Sequence, residues 1–113
     1  MRLGIVIGTV TLNRQHTSLT GGKWRLVTPL DWEDLSRLPQ DCTTDLQSFA
    51  AELSTEPVTA YDDLHAGVGS LIAFTEGREA SAAFHPNVKP IDAYLTAILD
   101  RLDVAPLGDL SFS

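Results

Sequence analysis

Near the start of the chain, Leu3, Ile5 and Ile7 alternate with Arg2, Gly4, Val6 and Gly8, and the run continues through Val10 and Leu12. An apolar period of two with β-branched residues predicts a strand. The internal glycines, Gly4 and Gly8, mark bends or places of close packing, as at a barrel corner. A strand of this length that bends suits a small barrel better than a flat sheet. The 113 residues fit one domain with a modest core. At 43% hydrophobic and 20% charged residues, the chain has the balance of a globular protein rather than a disordered one.

The remaining segments follow in order. Asn13 to Gly22 is polar and closes on a Gly21-Gly22 turn. Lys23 to Leu30 reads as the second strand, with Trp24, Leu26 and Thr28 on one face and Pro29 ending the central pairing or marking an edge. Asp31 to Pro57 differs in character: it carries Pro39, Pro57 and acidic residues that include Asp31, Glu33, Asp34, Asp41, Asp45 and Glu52. Within it Leu46, Phe49, Ala50 and Leu53 recur at helical spacing, with Thr43 or Thr44 as the cap and Asp45 in the first turn. This predicts a loop with one short amphipathic helix, either packed on the barrel or offered to a partner.

Val58 to Asp62 is the third predicted strand and Ser70 to Thr75 the fourth, joined through Ala66-Gly67-Val68-Gly69. Glu76 to Glu79 reads as a turn, Ala80 to Phe84 as a helical turn, and His85-Pro86-Asn87 as a polar break. Pro90 to Leu102 is ambiguous. Ile91, Leu95, Ile98 and Leu102 make a helical stripe, whereas Ile91, Ala93, Leu95, Ala97 and Leu99 alternate, and period alone does not separate the two. The tail, Asp103 to Ser113, is either frayed or a short strand donated elsewhere.

The formal net charge is −7 and the eight Lys and Arg residues are scattered, which argues against a nucleic-acid partner. Cys42 is the only cysteine, so neither an intrachain disulfide nor a cysteine metal cluster can form. The chain starts directly in a strand-like run, and no apolar run reaches membrane-spanning length, so the expectation is a cytoplasmic protein with no membrane partner. His16, His65 and His85 show no metal spacing. His65 follows Asp62 and Asp63 closely enough for a His–carboxylate pair, but a polar His beside Asp in a turn more often satisfies local backbone groups. Ala66-Gly-Val-Gly-Ser70 lacks the Gly-Lys-Ser/Thr ending of a P-loop, the third glycine of a dinucleotide fingerprint, and the frame of a nucleophile elbow. Ser18 and Thr20 could line an anion nest, although turn chemistry explains them as well. No catalytic residue, metal or cofactor is expected.

The order of motifs is more specific than any one of them. Arg2-Leu3…Gly8-Thr9-Val10 opens the chain, followed by His16…Ser18-Leu19…Gly21…Lys23 and a second strand ending near Pro29 and Asp31. Then come Ala60-Tyr-Asp62, Ala66-Gly67-Val68-Gly69, Gly77, and Lys89-Pro90-Ile91-Asp92-Ala93…Ile98-Leu99-Asp100. This order resembles the bacterial microcompartment vertex proteins, the family of the ethanolamine-utilisation and carboxysome pentameric shell proteins. The resemblance covers most of Met1 to about Val104, outside the middle insertion.

What it implies is a mostly β fold: a small OB-like β-barrel with one or two short helices, assembling as a cyclic pentamer. The implied domain runs over 1–104, with an insertion at about 32–57 and a C-terminal tail at 105–113. The implied role is structural: a homopentamer closing the five-fold vertices of a shell built from hexameric tiles. By the same resemblance Pro90 to Asp100 is a strand. Gly67 and Gly69 match the family's Gly-Ala-Gly-x-Gly run, with His65 in place of its first glycine, and around Gly77 only Gly77 and Ala80 agree. Gly67, Val68, Gly69, Gly77 and Arg78 become candidates for a subunit interface or pore, and Gly8, Gly21, Gly22, Pro90 and Asp92 for structural turns. Asp62, Asp63 and Asp92 could pair across an interface with Arg78, Arg25 or Lys89. Two other readings compete. One is a stand-alone OB-like ligand-binding module using Trp24, Trp32, Tyr61, Phe74 and Tyr94. The other is a small hydrolase using His65 and Asp62.

Overall fold

A computed structural model gives the fold over residues 1–11, 22–39, 41, 43–82, 84–85 and 91–102. The alternating run forms strand β1, Arg2–Val10, which pairs antiparallel with β2, Lys23–Pro29, on one side and with β4, Leu71–Glu76, on the other. Strand β3, Val58–Asp62, continues from β2, and β5, Ala93–Leu99, runs antiparallel to β4. The barrel closes where β5 meets β3 in parallel, in register at Tyr61 and Tyr94, giving the order β1-β2-β3-β5-β4. The ambiguous 90–102 segment is therefore a strand over Ala93–Leu99, as the resemblance implied.

Gly4 and Gly8 have different reasons. A Cβ on Gly4 would lie 2.6 Å from Val27 Cγ1 and 2.9 Å from the Thr28 carbonyl, so the barrel wall has no room for one. Gly8 sits at a register shift between Val6 and Gly8, a bulge that bends β1 against β2. It serves inside a strand rather than in a turn. Pro29 closes β2 opposite Gly4 and is fully buried.

The barrel interior holds Val6, Val27, Ala60, Ile72, Phe74 and Leu95, with contributions from all five strands. Alternation alone would leave the outer face of β1 and β4 in water. Instead Ile5 and Leu71 are fully buried there, because the segment between β2 and β3 folds over them. It brings Leu30, Leu46 and Ala50, with Leu35, Leu38, Phe49 and Leu53 packed alongside. Each fully buried aliphatic or aromatic side chain contributes about 1.5–3 kcal/mol. The insertion is thus part of the core on the barrel's outer side.

That segment holds two helices where one was predicted. Helix α1 spans Trp32–Arg37, and the Asp34 carboxylate accepts the Asp31 amide at 2.9 Å at its start. Helix α2 is shorter than the apolar spacing suggested, Gln47–Ala50. Its N-cap position is Leu46, neither Thr43 nor Thr44, and Asp45 acts from outside the helix by accepting the Gln47 amide at 2.9 Å. A third helix, α3, covers Arg78–Ala82, slightly ahead of the helical turn read from the sequence.

Several sequence expectations fall outside the described residues: the Gly21 turn, Pro90, Cys42, His16, Ser18, Thr20, Lys89 and the tail at 105–113.

Candidate functional site

The connection from β3 to β4 is held by one carboxylate. Asp62, the last residue of β3, has no solvent exposure. Its Oδ1 accepts the Leu64 amide at 2.8 Å, and its Oδ2 accepts the Ala66 amide at 2.8 Å and Arg25 Nε at 3.1 Å. Arg25, itself buried on β2, also donates from Nη1 to Thr9 Oγ1 at 2.6 Å. Thr9 lies directly across from Arg25 in the β1–β2 register, so the three residues link strands β1, β2 and β3. The Arg25–Asp62 pair expected across a subunit boundary is an internal one. A carboxylate with these three donors is built to fix backbone, which leaves it badly placed to serve as a base for His65.

The rest of the loop is fixed by backbone bonds. The Gly69 amide donates to the Val6 carbonyl at 2.7 Å, and the Val6 amide donates to the Ser70 carbonyl at 3.1 Å. The Leu46 amide donates to the Gly69 carbonyl at 2.9 Å, tying the loop to the start of α2. Gly69 is buried with φ +92°, and a Cβ there would overlap the Asp45 carboxylate. Its close approach is therefore to this chain's own insertion. Gly67 is exposed, and a Cβ there would meet only Ser70 Oγ at 3.8 Å. His65 adopts φ +60°, a conformation that glycine reaches more cheaply.

The other candidates are scattered around this centre. Gly77, with φ +66°, leads into α3, and its amide donates to the Asp92 carbonyl at 2.7 Å, so Gly77 and Asp92 do meet. Arg78 begins α3 and is exposed. Gly22 precedes β2 and lies against the Tyr61 ring so closely that a Cβ would overlap it. Asp63 accepts the Tyr94 hydroxyl at 3.0 and 3.1 Å. Burial, followed by that hydrogen bond to Asp63, pushes the Tyr94 phenol up to about 12.

The aromatics do not form a stacking platform. Tyr61 and Phe74 are buried. Trp24, Phe84 and Tyr94 crowd around Tyr61 at ring-centroid distances of 5.7, 6.1 and 6.3 Å. Of the five residues proposed for ligand stacking, Trp32 alone is strongly exposed, at 58%, and it stands on α1.

Val68, in the loop, and Ile98, on β5, are exposed, and they line one cleft of about 290 Å³. Its walls come from Thr43–Asp45, Val68–Ser70 and Ile98–Asp100. Val68 was on the list of candidates; Ile98 and the Thr43–Asp45 wall were not. Ile98 stands in register with Ile72, beyond the bulge at Ala73 and Phe74 that breaks the period of two, so alternation in β5 carried no signal for its exposure.

Comparison with known proteins follows the same outline. The model of the ethanolamine utilisation protein EutN/carboxysome family matches residues 1–100. A search of curated proteins finds no match. Among solved structures, the GrpN pentameric microcompartment shell protein from Rhodospirillum rubrum is 27% identical, with a TM-score of 0.62, covering 93% of this chain and 100% of that one. CcmL from Gloeobacter violaceus is 25% identical, with a TM-score of 0.66, covering 92% of this chain and 90% of that one. EutN from Escherichia coli is 20% identical, with a TM-score of 0.67, covering 92% and 89%, and attests the shared fold.

Proposed function

The chain belongs to the ethanolamine utilisation protein EutN/carboxysome family, and on that premise we propose that it is a structural protein whose pentamers close the five-fold vertices of a bacterial microcompartment shell. The observation that carries this reading is the family match over residues 1–100, over a closed barrel, with a pentameric shell protein at 27% identity across its full length. The domain is 1–104 with its insertion at about 32–57. Its partners are four further copies of itself and the hexameric tiles of the shell, and its place is in that shell in the cytoplasm. No helix among the described residues is long and apolar enough to cross a membrane.

A structural rather than catalytic role fits the chemistry of the loop. Asp62 is committed to Arg25 and two backbone amides. Gly67 and Val68 are exposed and serve the subunit contact, as do Gly77 and Arg78 at the entry to α3. Gly69 acts from within, by letting the loop pass Asp45.

Native mass spectrometry of the purified chain tests the reading. The expected species is a pentamer, and mixing with hexameric shell tiles should give closed particles. A monomer or dimer at micromolar concentration, with no higher state, would sink it.

A further inference from the structure

Four of the barrel's five seams carry runs of paired residues, and all four are antiparallel. The fifth, between β3 and β5, is parallel and has one pair, Tyr61 with Tyr94, among the described residues. Parallel pairing is also slightly less stable per residue. The interior side of this seam is lined by small side chains: Ala60 on β3, Ala93 on β5 and Ala66 in the β3–β4 loop. Elsewhere the interior is filled by larger ones, Val6, Val27, Ile72 and Phe74. Separation at Ala60 and Ala93 therefore exposes less apolar surface than separation of strands that meet through those larger residues.

We propose that the barrel opens at the β3–β5 seam while its other four seams stay paired, with the Tyr94–Asp63 contact as the tie that sets how often it does so. Native proteins open first where buried apolar contacts and backbone hydrogen bonds are few, and both are few here. What spans the seam is mostly side chain. The Tyr94 hydroxyl donates to the Asp63 carboxylate at 3.0 and 3.1 Å, and the Tyr61 ring lies 6.3 Å from Tyr94 and 6.1 Å from Phe84. Asp63 is exposed, so water competes for its carboxylate.

The neighbouring contacts define what moves. Phe84 lies 4.7 Å from Tyr94, and the Gly77 amide donates to the Asp92 carbonyl at 2.7 Å. Both hold the α3 region to β5. Tyr61 lies 5.7 Å from Trp24 on β2, and Asp62 fixes the end of β3 to Arg25 on β2. The parting line thus runs between Tyr61 on one side and Phe84 with Tyr94 on the other, and α3 travels with β4 and β5. Opening gives solvent a path to Ala60 and Ala93. The inference concerns the single chain and does not depend on the pentamer.

The test is thiol labelling of the full chain in a Cys42→Ser background, with one buried alanine at a time replaced by cysteine. Ala60→Cys and Ala93→Cys report on the seam. Ala73→Cys is the control, because Ala73 is buried on β4 between two antiparallel ladders. With a soluble aromatic disulfide as reagent, the two seam thiols are expected to react about 100-fold or more faster than the control thiol, and with weaker dependence on urea, since a local opening exposes little surface. Adding Tyr94→Phe to Ala60→Cys is expected to quicken its labelling about threefold to tenfold, the size of one hydrogen bond to a charged group partly open to water. Hydrogen exchange of the wild-type chain, read at the seam-facing amides next to Tyr61 and Tyr94, gives the same comparison if a cysteine variant fails to fold. Seam thiols or amides that react only as fast as the β4 control, with the same urea dependence, would mean that the seam opens only when the whole barrel unfolds, and the proposal is overturned. Labelling that Tyr94→Phe leaves unchanged overturns the Tyr94–Asp63 tie.

Discussion

Replacing Asp62 with Ala removes the one group that holds three donors at the end of β3, and the structure allows the cost to be worked out. The Ala66 amide lies on a fully buried residue and would lose its acceptor, at about 1–3 kcal/mol. The Leu64 amide belongs to an exposed residue and can turn to water, so it adds little. Arg25, with its side chain 10% exposed, would lose its counter-charge, and breaking a buried pair from one side costs about 3–5 kcal/mol. Thr9 remains as a partner for Nη1, which keeps that term at its lower end. Because the terms share one relaxing loop, they do not add in full, and we expect a total loss of about 3–5 kcal/mol. Against a domain stability of about 5–15 kcal/mol, that is a large fraction. Asp62→Asn keeps one acceptor without the charge and should lose about half as much. The assay is urea unfolding followed by tryptophan fluorescence, at fixed protomer concentration so that assembly does not shift the baseline. Hydrogen exchange at the Ala66 amide gives a local readout. A loss below about 1 kcal/mol, the size of an exposed ion pair, with Ala66 still protected, would falsify the assignment of Asp62 as the anchor of the loop.

Two further perturbations separate other parts of the structure. Gly69→Ala must strain a backbone at φ +92° and displace Asp45, so thermal unfolding should show a loss of about 2–4 kcal/mol, whereas Gly67→Ala should stay within about 0.5 kcal/mol. Equal effects at the two positions would refute the distinction. The Tyr94 phenol, pushed up to about 12 by burial and then by Asp63, holds its proton more tightly in the folded state than in the unfolded one. Its contribution to stability is therefore fully present below the unfolded value near 10 and is lost as pH rises through about 12. Phenolate absorbance should show a late transition that Tyr94→Phe removes, and that variant should also flatten the fall in stability over the same range.

Strand β1 was legible through its period of two and β4 as a short apolar run that is buried on both faces, and the barrel because β1 carries glycines where a flat strand would not. Strand β5 was legible only through the order of motifs, since Ile91 to Leu99 alternates while Ile91, Leu95, Ile98 and Leu102 also fit a helix. Helix α1 escaped because six residues between Asp31 and Leu38 are too short to show a period. Its local signal is an acidic side chain, Asp34, three residues after Asp31, whose amide it accepts. The internal Arg25–Asp62 pair spans 37 positions, and no local spacing announces such a partner. The same holds for Asp45 beneath Gly69. The sequence marks that a glycine is needed there, while only the folded chain shows which atoms make it necessary.

The barrel's closure is uneven. Four of its five seams are antiparallel ladders, whereas β3 and β5 meet at a single point of register, Tyr61 with Tyr94. Beside that point lie the Tyr94 hydroxyl on Asp63 and the ring contacts joining Tyr61, Phe84 and Tyr94. Mechanically the molecule is a rolled ribbon fastened by a clasp of side chains. Such a ribbon would unfasten at the clasp before its ladders unzip.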